Sequence, residues 1–260
     1  MVNVKEAAKI VQSTTNAFGG VVVSPEALTD SAELFGGQLD PSLAAWKAAG
    51  HNLVWLEVPA SKASLIPVAV ESGFAFHHAN ESGVMMTRRL VDAASFPPYA
   101  THYIGVGGVV LNQAKELLVV SERYRRRSAG PSYKLPGGAL HPGEHLVDGV
   151  IREIKEETGV RTKFESVVCF RHWHGYRFGK SDIYFVCRLS PLSESISRQV
   201  EEIDECRWMP VEEYLAADNV SPFNKRIVRA AMDGKGVEPT PIEGYDDHSR
   251  FEFFVPGEPK

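Results

Sequence analysis

Cysteine is scarce in this chain, three in 260 residues, and Cys169, Cys187 and Cys206 are scattered and odd in number. That pattern excludes a disulfide framework and a cysteine metal motif, and it fits a reducing compartment. No apolar run approaches the roughly 18 residues that a membrane-crossing helix needs. The opening stretch, MVNVKEAAKIVQ, lacks the apolar core of a signal peptide and the arginine bias of a transit peptide. No block of like charge is long enough for a nucleic-acid arm, and the formal net charge is −5. The expectation is a cytoplasmic protein with neither a membrane nor a nucleic-acid partner. The one basic cluster, Arg123, Arg125, Arg126 and Arg127, follows a strand expected over 116–122. It either steers an anionic substrate or is a solvated turn.

What the chain does have is an acidic helix. A helix is expected over 145–158, with Val147, Ile151 and Ile154 at i, i+4, i+7 as its buried stripe and Gly159 as a left-handed C-terminal cap. Glu153, Glu156 and Glu157 stand at i, i+3, i+4 and share one face, read as pointing away from that stripe. Three carboxylates on one face repel, and a hard divalent cation, Mg2+ or Mn2+, turns the repulsion into coordination. The plainer alternative is a solvated acidic face softened by Lys155 and Lys163. Upstream, Lys134-Leu135-Pro136-Gly137-Gly138 reads as a strand end turning into a loop, where paired glycines admit close backbone approach.

Gly138, then Glu144, then Arg152-Glu153-Ile154-Lys155-Glu156-Glu157-Thr158-Gly159-Val160 fill every fixed position of G-x5-E-x7-R-E-U-x-E-E-x-G-U, U being aliphatic. This resembles the Nudix box, and the register of Gly138, Glu144, Arg152 and Gly159 favours the metal reading of the glutamates. The resemblance implies that the Gly138 carbonyl and Glu153, Glu156 and Glu157 ligate metal and that one of these carboxylates activates water. It also implies that Arg152 pairs with box glutamates, Glu144 among them. Gly149 departs from the alanine usual near there; tolerated drift is preferred to closer substrate approach.

A boundary is expected near 94–101, at Phe96-Pro97-Pro98-Tyr99, giving an N-terminal domain over 1–97, a Nudix domain over 98–233 and a tail over 234–260. Downstream strands are expected over 102–111, 117–121, 164–171, 181–189 and 205–209, with helices over 211–217 and 223–232, the last capped by Ser221 with Pro222 in its first turn. Strands flanked by helices give an α/β/α sandwich, as the resemblance implies. Upstream, strands over 21–23, 52–58, 74–77 and 84–88 alternate with helices over 43–49 and 65–72, a smaller mixed α/β domain. Leu53-Val54-Trp55-Leu56, Leu65-Ile66-Pro67, Gly73-Phe74, His77-His78, Gly179-Lys180-Ser181-Asp182, Cys187-Arg188-Leu189 and Trp208-Met209 are similar to a subgroup with a pre-Nudix, acetyltransferase-like domain. That subgroup comprises plant Nudix hydrolases and the animal antisense basic fibroblast growth factor protein. No acetyl-CoA pyrophosphate loop is visible. His77-His78 is read as a hydrogen-bonded strand end, since no third metal ligand is obvious. The tail is expected to be irregular, with Phe251, Phe253 and Phe254 free to dock.

The resemblance implies hydrolysis of a nucleoside diphosphate linked to another moiety, a small-molecule nucleotide substrate, and by family habit a homodimer. A further carboxylate beyond the box is expected among Glu201, Glu202 and Glu205, with Glu202 chosen. Tyr133, Phe170, Trp173 and Tyr176 supply aromatic rings for base stacking, and Tyr133, Arg125, Phe170 and Tyr176 are the candidate substrate-binding residues. An ADP-ribose or NADH substrate is favoured. The proline associated with ADP-ribose enzymes is absent, and Tyr176 in its place hints at dinucleoside polyphosphates. A regulatory, partner-binding protein is the alternative, and the intact box argues against it.

Overall fold

The computed structural model describes residues 9–124, 132–245 and 247–257. It divides into two units, Met1–Ala100 and Thr101–Lys260. The first carries β1 (Thr14–Thr15), β2 (Gly20–Val23), α1 (Ala32–Ala48), β3 (Leu53–Pro59), α2 (Ile66–Glu71), β4 (Ala75–Asn80) and β5 (Gly83–Arg89). Its five-stranded sheet runs β1-β2-β3-β5-β4, with β2 and β3 parallel and the other neighbours antiparallel.

The helix expected over 43–49 is only the second half of α1. Gly36, Gly37 and Pro41 disfavour helix locally, but Phe35, Leu39, Leu43 and Trp46 fall on one buried stripe, and tertiary packing overrides the propensity. Ser31 caps its first turn by accepting from Leu34 N–H at 3.3 Å. His77 Nε2 meets the Pro97 carbonyl at 2.9 Å and its Nδ1 meets His78 Nδ1 at 2.7 Å.

The second unit comprises β6 (His102–Val110), β7 (Glu116–Glu122), β8 (Gly137–Ala139), α3 (Leu146–Thr158), β9 (Thr162–Trp173), β10 (Ser181–Pro191), β11 (Ile203–Pro210), α4 (Val211–Ala216), α5 (Pro222–Asp233), β12 (Glu238–Pro239) and β13 (Phe254–Val255). A four-stranded sheet runs β8-β6-β10-β9, with β6 and β10 parallel, and β11 pairs with β7. Strand alternation divides the interior into two cores. Val106, Val110, Leu118 and Cys187 pack under α3 with Leu146, Val150 and Ile154. Val109, Leu117, Val119 and Val186 pack under α4 and α5 with Tyr214, Ile227 and Val228. Helices therefore cover both faces, the three-layer arrangement expected. Among the described residues no helix is long and apolar enough to cross a membrane.

The tail corrects the expectation of an irregular segment. β12 pairs with β13, and Val237 exchanges two backbone hydrogen bonds of 2.9 Å with Val167 on β9. The Phe254 ring lies 6.0 Å from Phe164, centroid to centroid. The sequence hides this because each paired run is only two residues long. The tail also completes α3. His145 makes no side-chain cap, and the Glu252 carboxylate instead accepts from Leu146 N–H at 2.8 Å and Val147 N–H at 3.3 Å. A carboxylate there satisfies two orphan donors and faces the positive end of the helix dipole. Losing such a cap costs about 1 kcal/mol. Glu252→Ala should therefore lower the melting temperature by about 2–4 °C in a unit of this size. An unchanged melting curve by circular dichroism would show that the tail leaves the helix unsupported.

Candidate active site

The site is built on α3 and on the short β8 strand, which lies antiparallel to β6 with Gly138 opposite Val106. Gly159 ends the helix at φ 75°, where a left-handed cap is needed. A Cβ at Gly138 would stand 2.6 Å from a Glu153 carboxylate oxygen, so a side chain there would require Glu153 to shift. β8 and the acidic helix are thus in direct contact.

Arg152 fastens them together. Its Nε and Nη2 donate to the two oxygens of Glu144 at 2.7 and 2.8 Å, a bidentate pair. Nη1 donates to Glu153 at 2.9 Å and Glu156 at 3.0 Å, and Nη2 also reaches the Ala139 carbonyl at 3.1 Å. The Arg152 bonds hold the Glu144 carboxyl down at about 2, and the same contacts push the guanidinium further up. This agrees with the pairing the resemblance implies.

Glu157 departs from the expected helix phase. The buried positions of α3 are Leu146, Gly149, Val150, Ile154, Glu157 and Thr158, while Val147 and Ile151 are half-buried. The stripe is rotated from the expected one, so Glu157 lies on the core side rather than beside Glu156. At Gly149 a Cβ would meet the tip of Leu140 at 2.2 Å, so a larger residue there would require that side chain to shift.

Glu157 accepts from the Gly137 N–H at 2.8 Å and is only 6% exposed. Burial pushes its carboxyl up to about 7; Lys134 and the Gly137 N–H offset part of this, and Glu153 and Glu122 add to it. A carboxyl raised above its unfolded value of 4.5 costs the fold nothing at lower pH. The cost grows as pH climbs through 7 and stays above it. In metal-free protein at pH 8, Glu157→Gln should therefore raise the unfolding free energy by up to about 3 kcal/mol, with little change at pH 4.5. Urea melts in EDTA that coincide with the parent's at pH 8 would contradict the buried charge.

In front of β8 lies a cavity of about 560 Å³. Gly137, Gly138, Ala139, Lys134 and Glu122 line one part, and Lys134 and Glu122 form an ion pair of 2.5 Å. Tyr103, Arg171, Trp173, Tyr176, Phe178, Asp182 and Phe223 line another, and Tyr184 lies between, its hydroxyl against Gly137 and its ring 5.4 Å from the Arg171 guanidinium.

Of the expected substrate-binding residues, Tyr176 lines this cavity. Tyr133 is instead packed in the core with Arg207 over its ring at 4.8 Å. Phe170 is displayed on the opposite sheet face from Arg171, as alternation requires of its strand neighbour, and packs on Phe185. Arg125 lies outside the described residues. Glu202 is exposed, offers its backbone carbonyl to Arg123 N–H at 2.7 Å, and does not line the cavity; Glu122, opposite Ile203 in the β7–β11 register, does. Glu156 borders a separate shallow depression with Asp148, Ile151, Arg152 and Lys155. Glu122, Lys134, Arg171 and Asp182 were missed.

The donor set fits a hard divalent cation. Glu157 is a buried carboxylate whose charge is under-compensated, Glu153 stands next to the unobstructed Gly138 backbone, and all these donors are oxygens. Among the described residues no three acidic, histidine or cysteine side chains stand as a ready cage, and Arg152 engages Glu153 and Glu156.

A family model described as NUDIX domain matches residues 101–231, and another described as Nudix hydrolase domain matches residues 11–90. The chain belongs to the Nudix hydrolase family. Nudix hydrolase 8 of Arabidopsis thaliana is 40% identical over 208 residues, 79% of this chain and 56% of that protein. Nudix hydrolase 2 of the same plant is 39% identical over 212 residues, 81% of this chain and 76% of that protein. Human nucleoside diphosphate-linked moiety X motif 6 is 34% identical over 232 residues, 86% of this chain and 72% of that protein. These are the two groups the N-terminal motifs resemble. This Nudix chain therefore spans little more than half of the first of these relatives, and its tail beyond 231 lies outside the matched domain.

Proposed function

We propose that the protein is a cytoplasmic, Mg2+- or Mn2+-dependent pyrophosphohydrolase that splits a nucleoside diphosphate linked to a second moiety, of the ADP-ribose or NADH type. The observation that carries this reading is the buried Glu157, which accepts a hydrogen bond from Gly137 N–H on β8, a strand that lines the cavity. A bound divalent cation would screen the diphosphate and lower the pKa of water. Glu153, Glu157 and the Gly138 backbone are the groups that would hold it. Arg152 keeps Glu144 and β8 in register with α3, so the donors are positioned before substrate arrives. Lys134 offers its charge to a phosphate. Water adds to one phosphorus as the bridging oxygen leaves, giving two monophosphates, and a carboxylate takes the proton. Glu122 replaces Glu202 as the carboxylate outside the box best placed for that task.

Tyr176, Trp173 and Phe223 give the cavity aromatic surface for a base. Tyr176 also keeps dinucleoside polyphosphates on the substrate panel. A panel of ADP-ribose, NADH, dinucleoside polyphosphates and nucleotide sugars with Mg2+ or Mn2+ should give turnover of at least one. Glu157→Gln and Glu153→Gln should each lower kcat by about 10²–10⁴-fold. Full activity in both variants would remove these glutamates from the mechanism, and no turnover of any substrate would favour a partner-binding protein. A homodimer is proposed on the family resemblance, and light scattering that gives a monomer at working concentration would refute it.

A further inference from the structure

Arg171 on β9 and Asp182 on β10 form an ion pair in the cavity wall, with the Asp182 side chain 6% exposed. The Arg171 guanidinium is surrounded by rings, 5.2 Å from Trp173, 5.4 Å from Tyr184 and 5.7 Å from Phe223. Its three nitrogens differ. Nη2 donates to Asp182, and Nε is buried without a hydrogen-bond partner among the described residues. Nη1 takes part in no described hydrogen bond, and Arg171 lines the cavity. Asp182 has one oxygen engaged and a second that no described hydrogen bond takes up. Trp173 and Phe223 remain 47% and 44% exposed beside this pair.

An ion pair with only its carboxylate buried adds little to stability compared with apolar residues of the same volume. Here it puts a fixed donor next to a fixed acceptor, flanked by exposed ring surface, in the wall of the site. Building on the pyrophosphohydrolase reading, we infer that Arg171 and Asp182 are specificity-determining residues that read the edge of a 6-aminopurine. Nη1 donates to a ring nitrogen, the free Asp182 oxygen accepts from the exocyclic amino group, and Trp173 or Phe223 stacks on the ring. Adenine presents an acceptor nitrogen beside an amino donor, whereas a 6-oxopurine presents acceptors at both positions. A 6-oxopurine would thus set its carbonyl oxygen against a carboxylate. A site built to hydrogen-bond a group discriminates strongly against an analogue that lacks it.

The experiment is calorimetric binding of AMP, IMP and ribose 5-phosphate to the full chain in EDTA, which needs no turnover. AMP should bind at least about tenfold more tightly than IMP, the scale of one hydrogen bond to a charged group. Asp182→Asn should bring that ratio towards one. Arg171→Gln should weaken AMP while leaving ribose 5-phosphate unchanged. Equal binding of AMP and IMP by the parent protein would overturn the inference, and so would a ratio kept in Asp182→Asn. Equal weakening of ribose 5-phosphate in Arg171→Gln would do the same, by assigning Arg171 to phosphate. If Asp182→Asn fails to fold, the parent ratio and Arg171→Gln decide. Discrimination without hydrolysis of any panel substrate would leave this inference standing and remove the activity. Hydrolysis without discrimination would do the reverse.

Discussion

The Arg152 guanidinium is the constraint on which the site depends. It binds Glu144, Glu153, Glu156 and the Ala139 carbonyl at once, so the loop before α3, the helix itself and β8 cannot move independently. Each partner is also what makes an arginine necessary, because only a planar fork can serve a bidentate carboxylate and three further acceptors. With the carboxylates gathered this way, the helix tolerates an acidic density that would otherwise repel itself. Glu157, on the far side of the same helix turn, is the carboxylate that Arg152 does not reach. It bonds to Gly137 instead, and burial makes its charge costly.

That division of labour separates structure from chemistry within one motif. Glu144 is an anchor, and the pull of Arg152 keeps it ionised far into acid. Glu157 is poised, and a cation beside it would recover the cost of its burial. The tail adds support from outside the matched domain: Glu252 caps the first turn of α3, while Val237 and Phe254 tie the segment to β9. The acidic helix is thus secured at its N-terminus by the tail, along its side by Arg152, and at its C-terminus by Gly159.

The sequence made the helix, its cap at Gly159 and most strands legible, because each rests on short-range spacing, and the resemblance of the motif implied the Arg152–Glu144 pairing. The misread features depend on distant partners. The first half of α1 was hidden by Gly36, Gly37 and Pro41, whose local cost is outweighed by Phe35 and Leu39 packing on the sheet. The tail strands were too short to show alternation. The phase of α3 was misjudged because Val147, Ile151 and Ile154 make as good an apolar stripe as Leu146, Val150 and Ile154, and only the sheet beneath decides between them. The cavity wall was the least legible part. β9 and β10 pair with two register shifts, between Val186 and Cys187 and between Arg188 and Leu189. Which of Phe170 and Arg171 faces the site follows from that pairing and not from the residues themselves.

The central claim is that Glu157 and the Gly138 side of β8 hold a divalent cation. Calorimetric titration of the full chain with Mn2+ measures it without any substrate. The account predicts saturable binding by the parent protein and affinity at least about tenfold weaker in Glu157→Gln, the scale of one charged contact. Equal Mn2+ affinity in the two proteins would contradict it.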